Sequence, residues 1–353
     1  MAQKLKRMNH TSRTNFLTYG LVILAYVILQ AMLSGGMLTS SLRGQLVPIC
    51  AYIVMAISLN LTVGVMGELS LGHAGFMSVG AFSAIITAAS LEGTIPSGPV
   101  RLAVSILVGG LFAGLFSLIV VVPVLRLRGD YLAIVTLAFG EIVKNIINCL
   151  YVGRDSRGLH FSMKDAMSLG LEPDGRTLLQ GPMGAVGIQK LSSLTAGFLL
   201  ILLTLVVVLH FIGSRQGRAV MALRDNRIAA ESIGVSPAKY KMMAFVTSAL
   251  LAGMAGGLYA MNFSSILAKK FDFNTSILIL VFVVLGGMGN IWGSILAAAA
   301  LTVLPELLRE FADYRMLVYA IVLILVMLVT NNPTMRSFFT GLHEKLTGRK
   351  EAA

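Results

Sequence analysis

Residues 194–262 consist of the apolar run LTAGFLLILLTLVVVLHFIG (194–213), the polar segment SRQGRAVMALRDNRIAAESIGVSPAK (214–239) and the apolar run YKMMAFVTSALLAGMAGGLYAMN (240–262). Each apolar run has the length of roughly 20 residues that an α-helix needs to cross the hydrocarbon core of a bilayer. The polar segment between them has a helical pattern of its own. We therefore predict two membrane spans joined by a structured loop.

The composition of the whole chain also indicates a membrane protein. Of its 353 residues, 56% are hydrophobic and only 12% are charged, and the mean hydropathy is +0.83. A soluble domain carries about 25% charged residues, so this chain has too little charge to keep a water-facing surface wetted. The 36 glycines fit the same interpretation, because small residues let helices approach closely in lipid.

We predict an all-α polytopic membrane protein with about ten transmembrane helices, forming a single permease domain over residues 1–353. The first apolar run is too long for the core of a cleaved signal peptide, so we count it as the first span. The spans are predicted at Phe16–Leu33, Gln45–Val65, Leu69–Ala89, Leu102–Leu125, Tyr131–Val152, Leu194–Gly213, Tyr240–Asn262, Thr275–Leu285, Ser294–Leu308 and Met316–Thr330.

The distribution of positive charge predicts the orientation of these spans, because cytoplasmic segments carry an excess of Lys and Arg. With the amino terminus inside, the inner segments hold 16 basic and six acidic residues, whereas the outer segments hold 11 basic and nine acidic residues. Ten crossings then place both termini, including the tail 331–353, in the cytoplasm. The net charge of +12 lies mainly on the rim that faces anionic membrane lipid, so it does not require nucleic acid as a partner.

Two connections between the spans are longer than simple turns. Residues 153–190 are predicted to be an outer, periplasmic loop that forms either a small cap or a mobile segment. Residues 214–239 are predicted to lie in the cytoplasm. The stretches GVMGE (64–68) and GMGN (287–290) resemble each other, and each leads into another apolar run, as an internal repeat of a transporter would.

The segment 214–239 predicts a short amphipathic helix held between two spans. Asp225 or Asn226 can cap its first turn by accepting a free backbone N–H. Gly234 can adopt the left-handed conformation that ends a helix. Such a helix lies on the bilayer or inserts into a groove on a partner protein. Its apolar face consists of Ile228, Ala229 and Ile233.

The sequence contains no motif of a catalytic site. The patterns G-x-x-x-x-G-K-[ST], G-x-S-x-G and H-E-x-x-H are absent, and the two cysteines belong to no metal-binding pattern. We therefore expect a chain that is not an enzyme and has no cofactor and no metal site. If ATP supplies the energy, another subunit must bind it.

Several stretches resemble the permeases of branched-chain amino acid ABC importers, the LivM/LivH type, over roughly residues 47–329. The pattern A-A-x-x-x-G at 229–234 resembles the coupling loop of ABC-importer permeases. The stretch 128–141 and the long outer loop resemble the LivM-like member of the family rather than its LivH-like sibling. The other motifs that carry the resemblance are SLNLTVGVMGELSLGHAGF (58–76), RGDYLAIVTLAFGE (128–141), LGGMGNIWG (285–293) and LPELLR (304–309).

This resemblance implies an importer of five parts in the bacterial cytoplasmic (inner) membrane. The chain would pair with a second, LivH-like permease, with two ATP-binding subunits below and a periplasmic binding protein that delivers substrate. It also implies the ABC-importer permease fold of the ten-helix type. The chain departs from the E-A-A-x-x-x-G pattern at Ile228, which replaces the glutamate. The residues assigned to ATPase coupling are Asp225, Ile228, Ala229, Ala230, Glu231 and Gly234.

Polar side chains inside the spans are candidates for the translocation pathway, because such groups tend to face the bundle interior or water. Asn60 fits a pathway role and an interhelical hydrogen bond equally, whereas His73 fits a packed, hydrogen-bonded histidine more readily than a proton relay. Glu141 and Lys144 share a helix face, so they can pair or offer both signs of charge to a zwitterion. The candidate pathway residues are Asn60, Gly67, Ser70, His73, Thr136 and Glu141.

Three functional classes stay open on the sequence alone. An ABC-importer permease would carry leucine, isoleucine and valine, or, in a near variant, urea, amides or nucleosides. A secondary transporter driven by an ion gradient could use Glu141 as its proton site, but it would not need the loop at 229–234. A membrane scaffold predicts no transport defect on deletion.

Overall fold

The computed structural model describes residues 10–36, 39–124, 130–173 and 175–307, together with positions 317, 320, 321 and 324. The chain divides into two compact units, Met1–Ala299 and Ala300–Ala353, and every side-chain contact discussed below lies within the first. The helices are α1 (His10–Ser34), α2 (Ser40–Asn60), α3 (His73–Ser90), α4 (Gly98–Val124), α5 (Asp130–Cys149), α6 (Leu194–Gly213), α7 (Arg215–Asp225), α8 (Arg227–Ser232), α9 (Pro237–Ala260), α10 (Phe273–Gly286) and α11 (Ile291–Leu307).

The predicted spans correspond to apolar helices wherever the structure describes them. Helices α2 to α6 and α9 are each long and apolar enough to cross a membrane, so the chain is a multi-pass membrane protein. Three further spans correspond to shorter apolar helices, Thr18–Ser34 within α1, α10, and Ile291–Glu306 within α11. The tenth predicted span, Met316–Thr330, and the tail 331–353 lie outside the described residues except for four single positions. The total of ten spans therefore stays a prediction.

Helix α9 lies at the centre of the first unit and packs against α2, α3 and α4. Glycines allow this contact, because a Cβ atom added to Gly80 on α3 would lie only 2.1 Å from the carbonyl oxygen of Gly253 on α9. Likewise, a Cβ on Gly256 would lie 2.0 Å from the carbonyl oxygen of Met77. The backbones of α3 and α9 are thus in direct contact, which is a common arrangement where lipid provides no hydrophobic drive for association.

The predicted outer loop contains most of a five-stranded antiparallel sheet. The strands are β1 (Tyr151–Asp155), β2 (Gly158–Ser162), β3 (Arg176–Gln180), β4 (Ala185–Val186) and β5 (Ser265–Ile266). Their order in the sheet is β2-β1-β3-β4-β5, and Val152 and Leu179 pair across β1 and β3 with both side chains buried. The fold is therefore mostly helical rather than all-α. The sequence did not reveal the strands, because they are too short for their two-residue period to show. The placement of the loop outside the membrane stays a prediction.

The sheet and the two short helices lie at opposite ends of the bundle. Helix α6 begins next to the sheet and ends at Gly213, where α7 starts. Helix α9 then returns from α8 to the segment that contributes β5. We call these two regions the sheet end and the short-helix end. The predicted fifth span is corrected here, because its last residues, Tyr151 and Val152, belong to β1 and not to a helix.

The second and third predicted spans are separated by a break in the helical backbone. Helix α2 ends at Asn60, and Leu61–Val65 form a turn of π-helix, a rare form that often occurs at functional sites. Gly67 has φ +74°, and α3 begins only at His73. The predicted start of the third span at Leu69 is therefore wrong, because the left-handed residue at Gly67 directs the chain out of the helix.

The direct backbone contact between α3 and α9 predicts that Gly80→Ala destabilises the protein. The new methyl group must separate the helices at the Gly253 carbonyl, and overpacking of this kind costs about 1–3 kcal/mol. We expect a lower melting temperature and a smaller monodisperse fraction in detergent. Gly20→Ala is the matched control, because no heavy atom lies within 4 Å of its added Cβ. Equal melting temperatures of the two variants would contradict the packing described here.

Candidate coupling site

Helices α7 and α8 form an arm between the membrane helices α6 and α9, which we call the coupling arm (residues 215–234). Asn226 separates the two helices in an extended conformation, and its Oδ1 accepts the Ala229 N–H at 3.1 Å. Of the two caps that the sequence allowed, the structure has Asn226, since the Asp225 carboxylate instead contacts Arg224 at 2.9 Å. Gly234 has φ +89°, which confirms its left-handed position after α8.

Helix α8 and the residue that follows it expose two large apolar side chains beside the charged Glu231. The isoleucines at its two ends are almost entirely exposed, with relative accessibilities of 82% for Ile228 and 78% for Ile233. Ala230 is the exception among the predicted coupling residues, because it is only 3% exposed and packs within the chain. Any surface that α8 offers to a partner is therefore built by the two isoleucines and not by Ala230. Asp225, Ala229, Glu231 and Gly234 are exposed.

Arg224 connects the coupling arm to the break that follows α2. Its Nη1 donates a hydrogen bond of 2.9 Å to the carbonyl oxygen of Gly64, within the π-helical turn. Its aliphatic stem crosses Gly67 so closely that a Cβ there would lie 2.5 Å from the Arg224 Cγ. The absence of a side chain at Gly67 is thus required for this contact as well as for the backbone turn.

A second connection runs from the start of α9 to the same break. Lys241 Nζ donates to Glu68 Oε1, and the two side chains form an ion pair that is largely buried. Since Glu68 follows directly after Gly67, the coupling arm and the first turns of α9 both hold this short segment. A displacement of the arm would therefore act on the break directly through Arg224, and through Lys241 if α9 moves with the arm.

The break after α2 is in contact with a second break, between α10 and α11. Asn60 Oδ1 accepts the backbone N–H of Gly289 at 2.8 Å, and Asn60 Nδ2 donates to Ser294 Oγ at 2.8 Å. A Cβ on Gly64 would lie 2.2 Å from the Gly289 nitrogen, so the two backbones touch. The two stretches that resemble each other in sequence thus meet in space. Gly67 and Gly289, which correspond in that comparison, both have positive φ, +74° and +84°.

Three other predicted pathway residues lie buried around α3. Ser58 Oγ lies 2.9 Å from the Met55 carbonyl oxygen and forms a hydrogen bond of 2.8 Å with His73 Nε2. Thr136 Oγ1 accepts the Leu71 N–H at 3.1 Å. Ser70 is buried, and its hydroxyl has no hydrogen-bond partner within the described residues. These side chains hold the start of α3 against α2 and α5.

Glu141 and Lys144 form an ion pair on α5, as their spacing predicts. Both side chains are partly buried. This geometry satisfies each charge internally. The role of Glu141 in a pathway stays a prediction.

The sequence did not single out the residues that join the arm to the breaks. Arg224 and Lys241 were counted only as positive charge on one rim, and Ser294 only as the start of a span. The one available signal was the resemblance between residues 64–68 and 287–290, which marked Gly289 without indicating that the two stretches touch.

Comparison with known proteins agrees with this architecture. A family model described as the permease component of branched-chain amino acid transport systems matches residues 41–327. The chain belongs to this permease family. Its members are subunits of ABC transporters and are not enzymes themselves, so the prediction of a non-enzymatic subunit is confirmed.

Curated relatives place the chain near the LivM members of the family. It is 37% identical over 292 residues to the high-affinity branched-chain amino acid transport system permease protein LivM of Escherichia coli (strain K12), covering 78% of this chain and 66% of the relative. LivM of Salmonella typhimurium (strain LT2) is 36% identical with the same coverage. The chain thus spans just under two thirds of these relatives' length.

A more distant and shorter match is the fructose import permease protein FruG of Bifidobacterium longum. It is 28% identical over 103 residues, which cover 28% of this chain and 30% of that relative. No solved structure gives a significant match. The predicted resemblance to LivM-type permeases is therefore confirmed by the family model and by the LivM proteins.

The contact between the two breaks predicts that Asn60→Leu loosens the second break. Leucine cannot accept the Gly289 N–H or donate to Ser294. Loss of a hydrogen bond worth about 1 kcal/mol should accelerate amide exchange of a peptide covering residues 285–293 by roughly fivefold to tenfold. Hydrogen–deuterium exchange with mass spectrometry measures this. Asn262→Leu is the control, because Asn262 donates to the Gly44 carbonyl away from the breaks. Unchanged exchange in Asn60→Leu would show that Asn60 does not hold Gly289.

Proposed function

We propose that this chain is a membrane-spanning permease subunit of an ATP-driven ABC importer for leucine, isoleucine and valine. It pairs with a second, LivH-like permease, and two ATP-binding subunits dock to the pair. A periplasmic binding protein delivers the substrate. The complex lies in the bacterial inner membrane with both termini of this chain in the cytoplasm, so that the short-helix end is cytoplasmic and the sheet end is periplasmic. The match to LivM proteins and the positive charge of the short-helix end support this assignment.

The observation that carries the proposal is the coupling arm with its two exposed isoleucines. An amphipathic helix that presents apolar side chains is suited to a groove on another protein. Ile228 and Ile233 are exposed, whereas the apolar Val220 and Leu223 of α7 are buried within the chain. Arg227 and Glu231 form an ion pair of 2.6 Å on α8. A groove on an ATP-binding subunit would bury both isoleucines and bind a helix that is already ordered.

The hydrogen bonds of the arm supply a mechanism for coupling. When the nucleotide sites close, the ATP-binding subunits displace α8. Arg224 and Lys241 transmit this displacement to residues 64–68, since they hold Gly64 and Glu68. The contact of Asn60 with Gly289 passes it to the break between α10 and α11. Closure of the nucleotide sites would thus shift both helix pairs that flank the breaks, α2 with α3 and α10 with α11.

Uptake of labelled leucine into cells with and without this chain tests the proposal. We expect uptake that requires the chain and ATP, persists when only the ion gradient is collapsed, and is competed by isoleucine and valine. Ile228→Glu should reduce uptake at least tenfold, because a buried unpaired carboxylate in the docking groove is strongly unfavourable. Ile228→Leu is the matched control and should retain uptake, since it keeps an apolar side chain of the same size.

Other outcomes would contradict specific parts of the proposal. Uptake of urea, an amide or a nucleoside that depends on the chain and ATP, with leucine entry unaffected, would mean that the cargo is wrong. Uptake that follows the ion gradient instead of ATP would indicate a secondary transporter. Normal uptake in Ile228→Glu would remove the docking role from α8.

The relay through Arg224 predicts an uncoupled variant. Arg224→Met keeps the aliphatic stem over Gly67 but removes the hydrogen bond to the Gly64 carbonyl. A charge-assisted hydrogen bond is worth about 1.5–3 kcal/mol, so leucine transported per ATP hydrolysed should fall at least tenfold while the complex still assembles. Arg218→Met is the control, because Arg218 lies on the same helix but does not contact the break. Within the described residues, its guanidinium donates a hydrogen bond of 3.3 Å to the nearby Gly213 carbonyl. Equal coupling ratios in the two variants, measured in proteoliposomes, would refute the relay.

A further inference from the structure

The sheet end contains a cavity of about 390 Å³ that is distant along the bundle from the coupling arm. It lies between the end of α3, the start of α4, strand β3 and residues 186–191. Its volume falls within the range of small-molecule sites, which are typically mostly apolar with a few polar groups that set orientation. The proposed coupling mechanism assigns no role to this cavity.

One wall of the cavity carries a chain of three polar side chains. Arg101 at the start of α4 is 94% buried, and its Nη2 donates to Gln189 Oε1. Gln189 Nε2 in turn donates to Glu92 Oε1. The Nε atom of Arg101 is also buried, and it has no hydrogen-bond partner within the described residues. A buried guanidinium that is only partly satisfied favours an additional acceptor, because an unpaired buried donor costs free energy.

The remainder of the lining is largely aliphatic. Ile85 and Ala88 come from α3, and Ile188 and Leu191 come from the segment that leads into α6. Strand β3 adds a second cation, Arg176, and the polar Thr177 and Gln180. The cavity thus combines two cations, one anion and an apolar wall, and Arg101 is the buried cation that the Glu92–Gln189 chain contacts. This combination matches a free amino acid with an aliphatic side chain, which carries a carboxylate, an ammonium group and a hydrocarbon portion.

The Gln189 carboxamide occupies the position that such a ligand would take between the two charges. Its oxygen faces the Arg101 guanidinium, and its NH₂ group faces the Glu92 carboxylate. The carboxylate of an amino acid accepts from the guanidinium in the same way, and with two oxygens and a negative charge it is the stronger acceptor. The ammonium group likewise donates to Glu92 in place of the neutral amide.

We propose that this cavity binds a free aliphatic amino acid, with its carboxylate on Arg101, its ammonium group on Glu92 and its side chain against Ile85 and Leu191. Gln189 acts as an internal placeholder that withdraws when the amino acid enters. The proposal rests on the proposed function, since it assigns the substrate of that same importer a site at the sheet end of this chain. It does not require ATP or the coupling arm.

Direct binding to the assembled importer tests this site. The complete complex is placed in nanodiscs without ATP and without the binding protein, and binding of tritiated leucine is measured by scintillation proximity. We expect Arg101→Gln to weaken leucine binding at least tenfold. Gln189→Ala should tighten it several-fold, because no internal group then competes for Arg101 and Glu92. Lys190→Gln is the control, as Lys190 is an exposed cation next to the site that does not line the cavity.

Ligand analogues test the carboxylate contact and the ammonium contact one at a time and leave the protein unchanged. Valine should compete with leucine, whereas leucinol, which lacks the carboxylate, and 4-methylpentanoate, which lacks the ammonium group, should not. These measurements remain decisive if Arg101→Gln proves unstable.

Three results would overturn the proposal. The first is leucine binding that is equal in Arg101→Gln and the unmodified complex. The second is weaker leucine binding in Gln189→Ala, which would mean that Gln189 positions Arg101 and Glu92 for the ligand and does not compete with it. The third is undetectable leucine binding in a complex that still imports leucine with ATP and the binding protein. In this third case the proposed function stands and only the site fails, whereas absence of leucine import would reject the proposed cargo itself.

Discussion

The hydrogen bond from the Gly289 backbone N–H to the Asn60 carboxamide is the interaction on which the centre of this permease depends. A membrane helix that is broken frees backbone groups, and these groups must be satisfied by protein because lipid offers no partner. Here Asn60, beside the first break, accepts the free Gly289 N–H of the second break and donates to Ser294. The contact also demands glycine at position 64, since a side chain there would occupy the space of Gly289.

This contact explains why the coupling arm lies where it does. Arg224 reaches the carbonyl of Gly64, which is the residue that touches the second break. Lys241 holds the adjacent Glu68 from the start of α9. The Arg224 guanidinium donates a hydrogen bond to the Gly64 carbonyl in the π-helical turn. The side chain that connects the break to the arm thus also satisfies a backbone acceptor of the break.

The two ends of the bundle are built differently because they meet different demands. The short-helix end exposes Ile228 and Ile233 and concentrates positive charge, whereas the sheet end packs strand β3 of a small antiparallel sheet against α3. Helix α9 connects the two ends, and its glycines pack it directly on α3 and α4. A stiff central helix with close backbone contacts transmits displacement between the ends better than one separated from its neighbours by long side chains.

The sequence by itself determined the membrane class, the helical segments, the arm between α6 and α9, and the family. These features follow from local properties: the length of apolar runs, the spacing of capping residues such as Asn226, the left-handed Gly234, and motifs read along the chain. Only the tertiary structure decided that Ala230 is buried while Ile228 is exposed, that the outer loop forms a sheet, and that Arg101, Gln189 and Glu92 line one cavity. It also decided that Asn60 holds Gly289, 229 residues further along the chain. Such pairings depend on how distant segments pack, and a single sequence records the residue types at both positions but not the distance between them.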